Sequence, residues 1–228
     1  MSFIRKNIPN AITCGNLLCG CLAIVKAFEG DLVWAAYLVG IAAVLDFFDG
    51  FAARLFKANS PIGKELDSLA DMVSFGALPA MVMYKTLALS SPPTSYLPYV
   101  GLLIAVCSAL RLAKFNIDET QSDSFKGLPT PANAIFITTL PFLTQPVFDT
   151  IHQPVVLSII TVIFSLLMVS RFDLFALKFK NFSWADNKIR FTFLLLSVFL
   201  VAFLHWAALP LIILLYIAMS LGLQSILK

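Results

Sequence analysis

Four aspartates constrain this chain most, because almost everything around them is built for lipid: Asp46, Asp49, Asp67 and Asp71. All four fall in DFFDGFAARLFKANSPIGKELDSLAD, residues 46–71. An ionised Asp at mid-bilayer costs roughly 2.5–3.5 kcal/mol on insertion scales, so such residues persist only when paired, metal-bound or near water. Asp46 and Asp49 are spaced i, i+3 and Asp67 and Asp71 i, i+4, so on helices each pair shares one face. Two facing pairs of hard oxygen ligands predict a divalent-cation site, for Mg²⁺ or Mn²⁺. One such Asp is explained by a helix-packing hydrogen bond, and Asp67 alone by a first-turn position favoured by the helix dipole. Four at these spacings, beside basic residues, are not.

The 228 residues are 59% hydrophobic and 13% charged, with a mean hydropathy of +0.88. That composition excludes an ordinary soluble domain and predicts an all-α, polytopic integral membrane protein. Windows long enough to span recur about eight times, at 11–28, 32–52, 70–89, 97–114, 131–148, 154–170, 190–205 and 207–225. Between six and eight are expected to cross, since only His205 and Trp206 separate the last two. No repeat or low-complexity segment breaks the pattern, so residues 1–228 read as one membrane domain. No nucleic-acid partner is expected.

Charge placement gives an orientation. With both termini inside, all of the 16 Lys and Arg residues except Lys26 and Lys85 fall on the cytoplasmic side. The acidic segment then faces the cytoplasm of a cell-membrane protein, and the loop SSPPTSYLP outside carries no charge. Arg5 and Lys6 precede an apolar run as in a signal peptide, but Pro9, Asn10, Gly15 and Asn16 interrupt it, and a retained first span is expected. Cys14, Cys19, Cys21 and Cys107 lie in apolar stretches without zinc-site spacing and read as small helix residues. Lys178, Lys180, Lys188 and Arg190 are expected to hold a cytoplasmic loop against anionic lipid.

Around the acids the sequence adds a second layer. Asp46 and Asp49 end one span, Asp67 and Asp71 open the next, and LFKANSPIGKEL reads as the loop between them. Gly50 and Ala53 leave room for a ligand against the helix backbone. Arg54, Lys57 and Lys64 suit phosphate oxygens. Acids, basic rim and small-residue groove together point to a diphosphate substrate at the bilayer surface.

The run Asp46-x2-Asp49-Gly50-x2-Ala53-Arg54-x8-Gly63-x3-Asp67-x3-Asp71 resembles the signature of the CDP-alcohol phosphatidyltransferases at every defined position. The resemblance implies a helical membrane enzyme working as a homodimer, which moves a phosphatidyl group from CDP-diacylglycerol to an alcohol and releases CMP. It implies that Asp46, Asp49, Asp67 and Asp71 hold the metal, that Asp71 is also the general base, and that Gly50, Ala53 and Arg54 line the CDP site; Gly63 and Lys64 beside them are expected to meet the CDP-lipid as well. The flanking IPNAITCGNLLCG, DMVSFGALPA, RLAKFN and FKGLPTPA are similar to the phosphatidylserine synthases of that family. L-serine is therefore the expected acceptor. Its carboxylate needs a fixed cation at a partly desolvated site, and Arg111 and Lys126 are the candidates.

Two other readings stand beside this one. The same chemistry serves glycerol 3-phosphate, inositol phosphate or choline as acceptor, although a phosphate acceptor wants more cations than Arg111 and Lys126 supply. A cation transporter would use the acids as its ion site, but leaves Gly50, Ala53, Arg54 and Gly63 unexplained and expects acids at the membrane midplane.

Overall fold

The computed structural model describes residues 3–58, 60–118, 124–175 and 183–226. Lys178, Lys180 and Lys228, and the side chains of Arg5 and Lys6, lie outside the described set, so their expected lipid and interior placements are not addressed by it.

Helix α1 (Phe3–Glu29) and helix α2 (Leu32–Leu55) form a hairpin. Gly30 turns the chain with φ +86°, a conformation that suits glycine. Asp31 then caps α2 by accepting the Trp34 amide at 3.0 Å. The hairpin closes on small side chains: Ala23 and Ala27 of α1 pack in one buried cluster with Ala35, Val39 and Ala42 of α2. In lipid there is no hydrophobic drive between helices, so close backbone approach through small residues is what holds them.

Helix α3 (Pro61–Asp71), a π-helical turn (Met72–Ala77) and helix α4 (Leu78–Ser90) run on as one rod. The rod begins earlier than the sequence suggests. Ser60 accepts the Gly63 amide at 3.1 Å and Pro61 occupies the first turn, a start that proline's fixed φ favours. Gly63, Lys64 and Glu65, expected in a loop, are therefore helical. The rod packs on α1 through Gly20, where an added Cβ would sit 2.9 Å from the Ser74 Cα.

A 3₁₀ segment (Leu97–Leu102) leads into helix α5 (Leu103–Ile117). Strand β1 (Ser124–Lys126) pairs antiparallel with strand β2 (Asp173–Phe175), matching Phe125 to Leu174. This two-stranded ribbon is the one sheet among the described residues. Helix α6 (Thr130–Thr139) is only ten residues long, and Pro141 sits in the 3₁₀ turn that ends it. The expected span 131–148 is thus a short helix buried in the bundle, followed by helix α7 (Val147–Ile151). Helix α8 (Pro154–Val169) packs on α6 through Phe136 and Phe164, stacked at 3.8 Å between ring centroids.

Helix α9 (Trp184–Leu204) and helix α10 (Ala208–Ile226) are joined at His205 with φ +50°. Phe193 of α9 lies 5.9 Å from Tyr216 of α10, so the chain doubles back rather than continuing straight. Among the described residues, five stretches are long and apolar enough to cross a membrane: 7–29, 32–55, 61–90, 97–117 and 187–222. The last of them is this folded-back pair. Several buried hydroxyls bond their own helices, as suits apolar surroundings: Thr138 donates to the Ala134 carbonyl at 2.7 Å and Thr161 to Leu157 at 2.7 Å.

Candidate functional site

The C-terminal end of α2 meets α3 beside the start of α1, and the acids gather there. Carboxylate oxygens of Asp46, Asp49 and Asp67 all lie within 4.8 Å of one another. Asp71 joins them, its carboxyl within hydrogen-bonding reach of Asp46. Helical spacing accounts for this: i, i+3 on α2 and i, i+4 on α3 turn both pairs to the shared seam. Among the described residues, no Lys or Arg is in salt-bridge contact with any of the four. Crowded carboxylates without a neutralising base, in an apolar body, match the donor set of a hard divalent cation.

Helix α1 supplies polar groups from behind. Thr13 donates to Asp49 Oδ2 at 2.7 Å, and Asn16 Nδ2 donates to Asp71 Oδ1 at 3.5 Å. Ser74, in the π-turn, donates to the Asn16 carbonyl at 3.0 Å. Each link ties one acid-bearing helix to α1. Thr13 and Asn10 stand outside the sequence-derived site, although a signal for them exists. Asn10, Thr13 and Asn16 recur every third residue in the otherwise apolar stretch 8–25, which places them along one side of the helix.

A cavity of about 580 Å³ opens beside the acids. Asp49 and Asp67 face it, with Gly50, Ala53, Gly63 and Lys64, and Asn10 and Thr13 from α1. Nothing lies within 4 Å of where a Gly50 Cβ would stand, so that wall is open backbone. At Gly63 a Cβ would press to 3.0 Å against Asn10 Oδ1 and Ser60 Oγ. Lys64 reaches the Asn116 carbonyl at 2.9 Å, and Asn116 donates to Ser68 at 2.8 Å, so the α5 end is tied to α3 at the cavity rim. Arg54 is exposed in the last turn of α2 and does not line this cavity.

Arg111 and Lys126 are brought together, but at a second cavity of about 470 Å³ that they share with Lys114, Ser170 and Arg171. Arg111 is buried, with its guanidinium 6.0 Å from the Phe115 ring, and Asp71 is an electrostatic neighbour. Lys126 pairs with Asp118 at 3.5 Å. Gly127 follows with φ +75° and no room for a Cβ, which would lie 3.0 Å from the Leu167 carbonyl. That close approach pins the Lys126 loop to the end of α8.

The chain matches the family model for CDP-alcohol phosphatidyltransferase over residues 6–170. It is 38% identical over 179 residues to the CDP-diacylglycerol–serine O-phosphatidyltransferase of Bacillus subtilis (strain 168), an alignment covering 77% of this chain and 90% of that one. It is 42% identical over 135 residues to the protein of the same name from Mycobacterium tuberculosis (strain ATCC 25618 / H37Rv), with 56% of this chain and 46% of the other aligned. An archaetidylserine synthase from Methanothermobacter thermautotrophicus is 35% identical over 140 residues, covering 60% of this chain and 58% of its own length. The matched stretch of the family model contains all four aspartates, the first cavity, nearly all of the second and the ribbon's first strand.

Proposed function

We propose a reaction from the premise that the chain belongs to the CDP-alcohol phosphatidyltransferase family. It transfers the phosphatidyl group of CDP-diacylglycerol to L-serine, giving phosphatidylserine and CMP. The observation that carries this reading is the set of unneutralised carboxylates, three with oxygens within 4.8 Å of one another, beside a cavity walled by Gly50, Ala53 and Gly63. The choice of serine draws its support from the Bacillus relative, aligned over 90% of its length. It also draws on the basic cavity around Arg111.

Enzymes of this family depend on a metal, and the donor chemistry here fits one. Asp46, Asp49, Asp67 and Asp71 would hold Mg²⁺ or Mn²⁺. When bound, such cations neutralise charge on the diphosphate and on the departing CMP. The protein's own groups do the rest. Thr13 holds the Asp49 carboxylate in one orientation and Asn16 does the same for Asp71. Gly50, Ala53 and Gly63 let the CDP moiety lie against backbone, while Lys64 from the cavity wall and Arg54 from the exposed last turn of α2 meet phosphate oxygens. Arg111 offers its planar fork to the serine carboxylate, with Lys126 at the mouth of that cavity. Asp71 accepts the proton of the serine hydroxyl as its oxygen attacks phosphorus. The bond from phosphorus to the CMP oxygen breaks in the same displacement, and CMP leaves with the electron pair.

The whole chain acts as one membrane domain, with both termini and the acidic cluster at the cytoplasmic face of the cell membrane. The positive-inside bias supports this orientation. The working unit is a homodimer, a state that cross-linking in membranes tests. The test of the reaction itself is an acceptor screen on purified protein with CDP-diacylglycerol and serine, glycerol 3-phosphate, inositol phosphate or choline. Phosphatidylserine and stoichiometric CMP are expected with serine alone. CMP release that prefers another acceptor would replace serine, and no CMP release with any acceptor would remove the enzymatic reading.

A further inference from the structure

Asn133 is fully buried on α6, and neither its Oδ1 nor its Nδ2 has a hydrogen-bond partner among the described residues. Thr130, one turn earlier and equally buried, has an unpartnered Oγ1. Asn16 on α1 leaves its Oδ1 unpartnered, and Arg111 on α5 leaves its Nε. All four residues are more than nine-tenths buried. An unmade hydrogen bond of this kind is expensive, and native structures contain few. Five such atoms, on four residues of neighbouring segments, call for a polar ligand.

Neighbouring they are, because α1, α5 and α6 all pack on the π-turn that follows Asp71. Ser74 of that turn bonds the Asn16 carbonyl, and a Cβ on Gly76 would come within 3.1 Å of the Ser108 side chain, one turn before Arg111. Ser108 in turn donates to Met168, whose backbone blocks any Cβ on Gly127 at the entrance to α6. The remaining unpartnered hydroxyls, Ser91 and Ser165, belong to the far end of α4 and to α8.

The chemistry of the unmet groups is specific. Three are acceptor oxygens: Asn16 Oδ1, Thr130 Oγ1 and Asn133 Oδ1. An ammonium group carries three N–H donors and no acceptor. Two are donors, the Arg111 Nε–H and the Asn133 amide, which suit a carboxylate. Acceptors for an ammonium beside donors for a carboxylate describe the two ends of an α-amino acid zwitterion. We propose that Asn133, with Thr130 and Asn16, binds the α-ammonium group of the acceptor serine and so sets the enzyme's choice of acceptor. This deepens the serine reading and rests on it. Arg111 also lines the second cavity.

The test compares wild type with Asn133→Ala and the near-isosteric Thr130→Val, each checked for monodispersity in detergent and for unchanged KM for CDP-diacylglycerol. Losing a hydrogen bond to a charged group is expected to raise the serine KM roughly ten- to a hundredfold for Asn133→Ala, with kcat far less affected. Two competitive inhibitors separate recognition from structural damage: ethanolamine keeps the ammonium and lacks the carboxylate, and glycerate does the reverse. Thr130→Val should weaken inhibition by ethanolamine and leave inhibition by glycerate near its wild-type value, while Asn133→Ala, which also removes an amide donor, should weaken inhibition by ethanolamine more than inhibition by glycerate. Equal loss for both inhibitors, or an unchanged serine KM in both variants, overturns the proposal. Should Asn133→Ala not fold, Thr130→Val carries the same comparison. A wild-type protein that makes no phosphatidylserine overturns the serine reading itself, whereas wild-type synthesis with indifferent variants overturns only the role of Asn133 and Thr130.

Discussion

Thr13 on the first helix donates its hydroxyl to Asp49 on the second at 2.7 Å, and the same oxygen stands 3.0 Å from the Pro9 carbonyl of its own helix. One hydroxyl can donate only once at a time, so the bond to Asp49 competes with the one Thr makes by default in an apolar helix. A carboxylate with a strong claim on the proton wins that competition. Partners of this kind, one step behind metal ligands, typically change metal affinity or activity by about 10–100-fold when removed. Thr13→Val should therefore lower kcat/KM roughly tenfold and raise the Mg²⁺ or Mn²⁺ concentration for half-maximal rate. Thr13→Ser should retain most activity. Identical behaviour of the two variants would leave the hydroxyl without a part in the site.

Metal dependence is the second expectation. The four carboxylates have no basic partner in salt-bridge contact among the described residues, so a cation is their natural neutraliser. EDTA should abolish CMP release, and excess Mg²⁺ or Mn²⁺ should restore it. Asp46→Asn and Asp67→Asn should each lower turnover and shift the metal titration to higher concentration. Full turnover in chelator would rule out a resident cation.

Arg111 supplies the third. If its fork grips the serine carboxylate, Arg111→Lys should raise the serine KM, because a point charge cannot reproduce two parallel hydrogen bonds. The KM for CDP-diacylglycerol should hold. The opposite pattern, with serine unaffected and the CDP-lipid weakened, would move Arg111 to the lipid side of the reaction.

Direct attack has a kinetic signature. With Asp71 as base and no covalent intermediate, both substrates must be bound before CMP departs, so initial rates should be sequential. Labelled CMP should not exchange into CDP-diacylglycerol when serine is absent. Asp71→Asn should lose kcat more than CDP-lipid affinity, since a base acts in the transition state. Fast exchange without serine would demand a phosphatidyl-enzyme and end this mechanism.

Much of the site is legible in the amino-acid sequence because an acid in a lipid-like chain announces itself. Asp46, Asp49, Asp67 and Asp71 stand out by cost, and their spacing turns them to one seam. Thr13 stands out only by its three-residue spacing from Asn10 and Asn16. A threonine in an apolar helix is ordinary, and its partner lies 36 residues away, a pairing that no local pattern records. The start of α3 misleads for a related reason: Asn-Ser-Pro reads as a turn, yet Ser60 and Pro61 are also an N-cap and first helical position, so Gly63 and Lys64 sit on a helix. Arg54 shows the limit of motif spacing, which fixes a residue's place along the chain but not which way an exposed last-turn side chain faces. The shortness of α6 is hidden because residues buried by protein and residues buried by lipid are equally apolar. Only Pro141 and Pro146 hint at it.

A final expectation concerns stability. Because a Cβ at Gly20 would come to 2.9 Å from the Ser74 backbone, even Gly20→Ala must push the rod away from α1. Overpacking of this sort typically destabilises by about 1–3 kcal/mol. The variant should melt at lower temperature in detergent, and Gly40→Ala, with nothing within 4 Å of its Cβ position, should not. Equal melting of both would mean that the rod and α1 yield easily at this contact.

The π-turn between α3 and α4 sets two rotational phases on one rod. Such a turn holds more residues than an α-helical turn, so everything from Leu78 onward is rotated relative to Asp67 and Asp71. Upstream, the phase is dictated by where two carboxylates must point. Downstream, it is dictated by how Leu78, Val82 and Met83 meet their neighbours in the core. Regular helix would force one choice to serve both. A one-residue deletion within 72–77 would therefore leave a better helix and a worse protein: it would restore the i→i+4 ladder while swinging either the acids off their seam or the core face towards lipid.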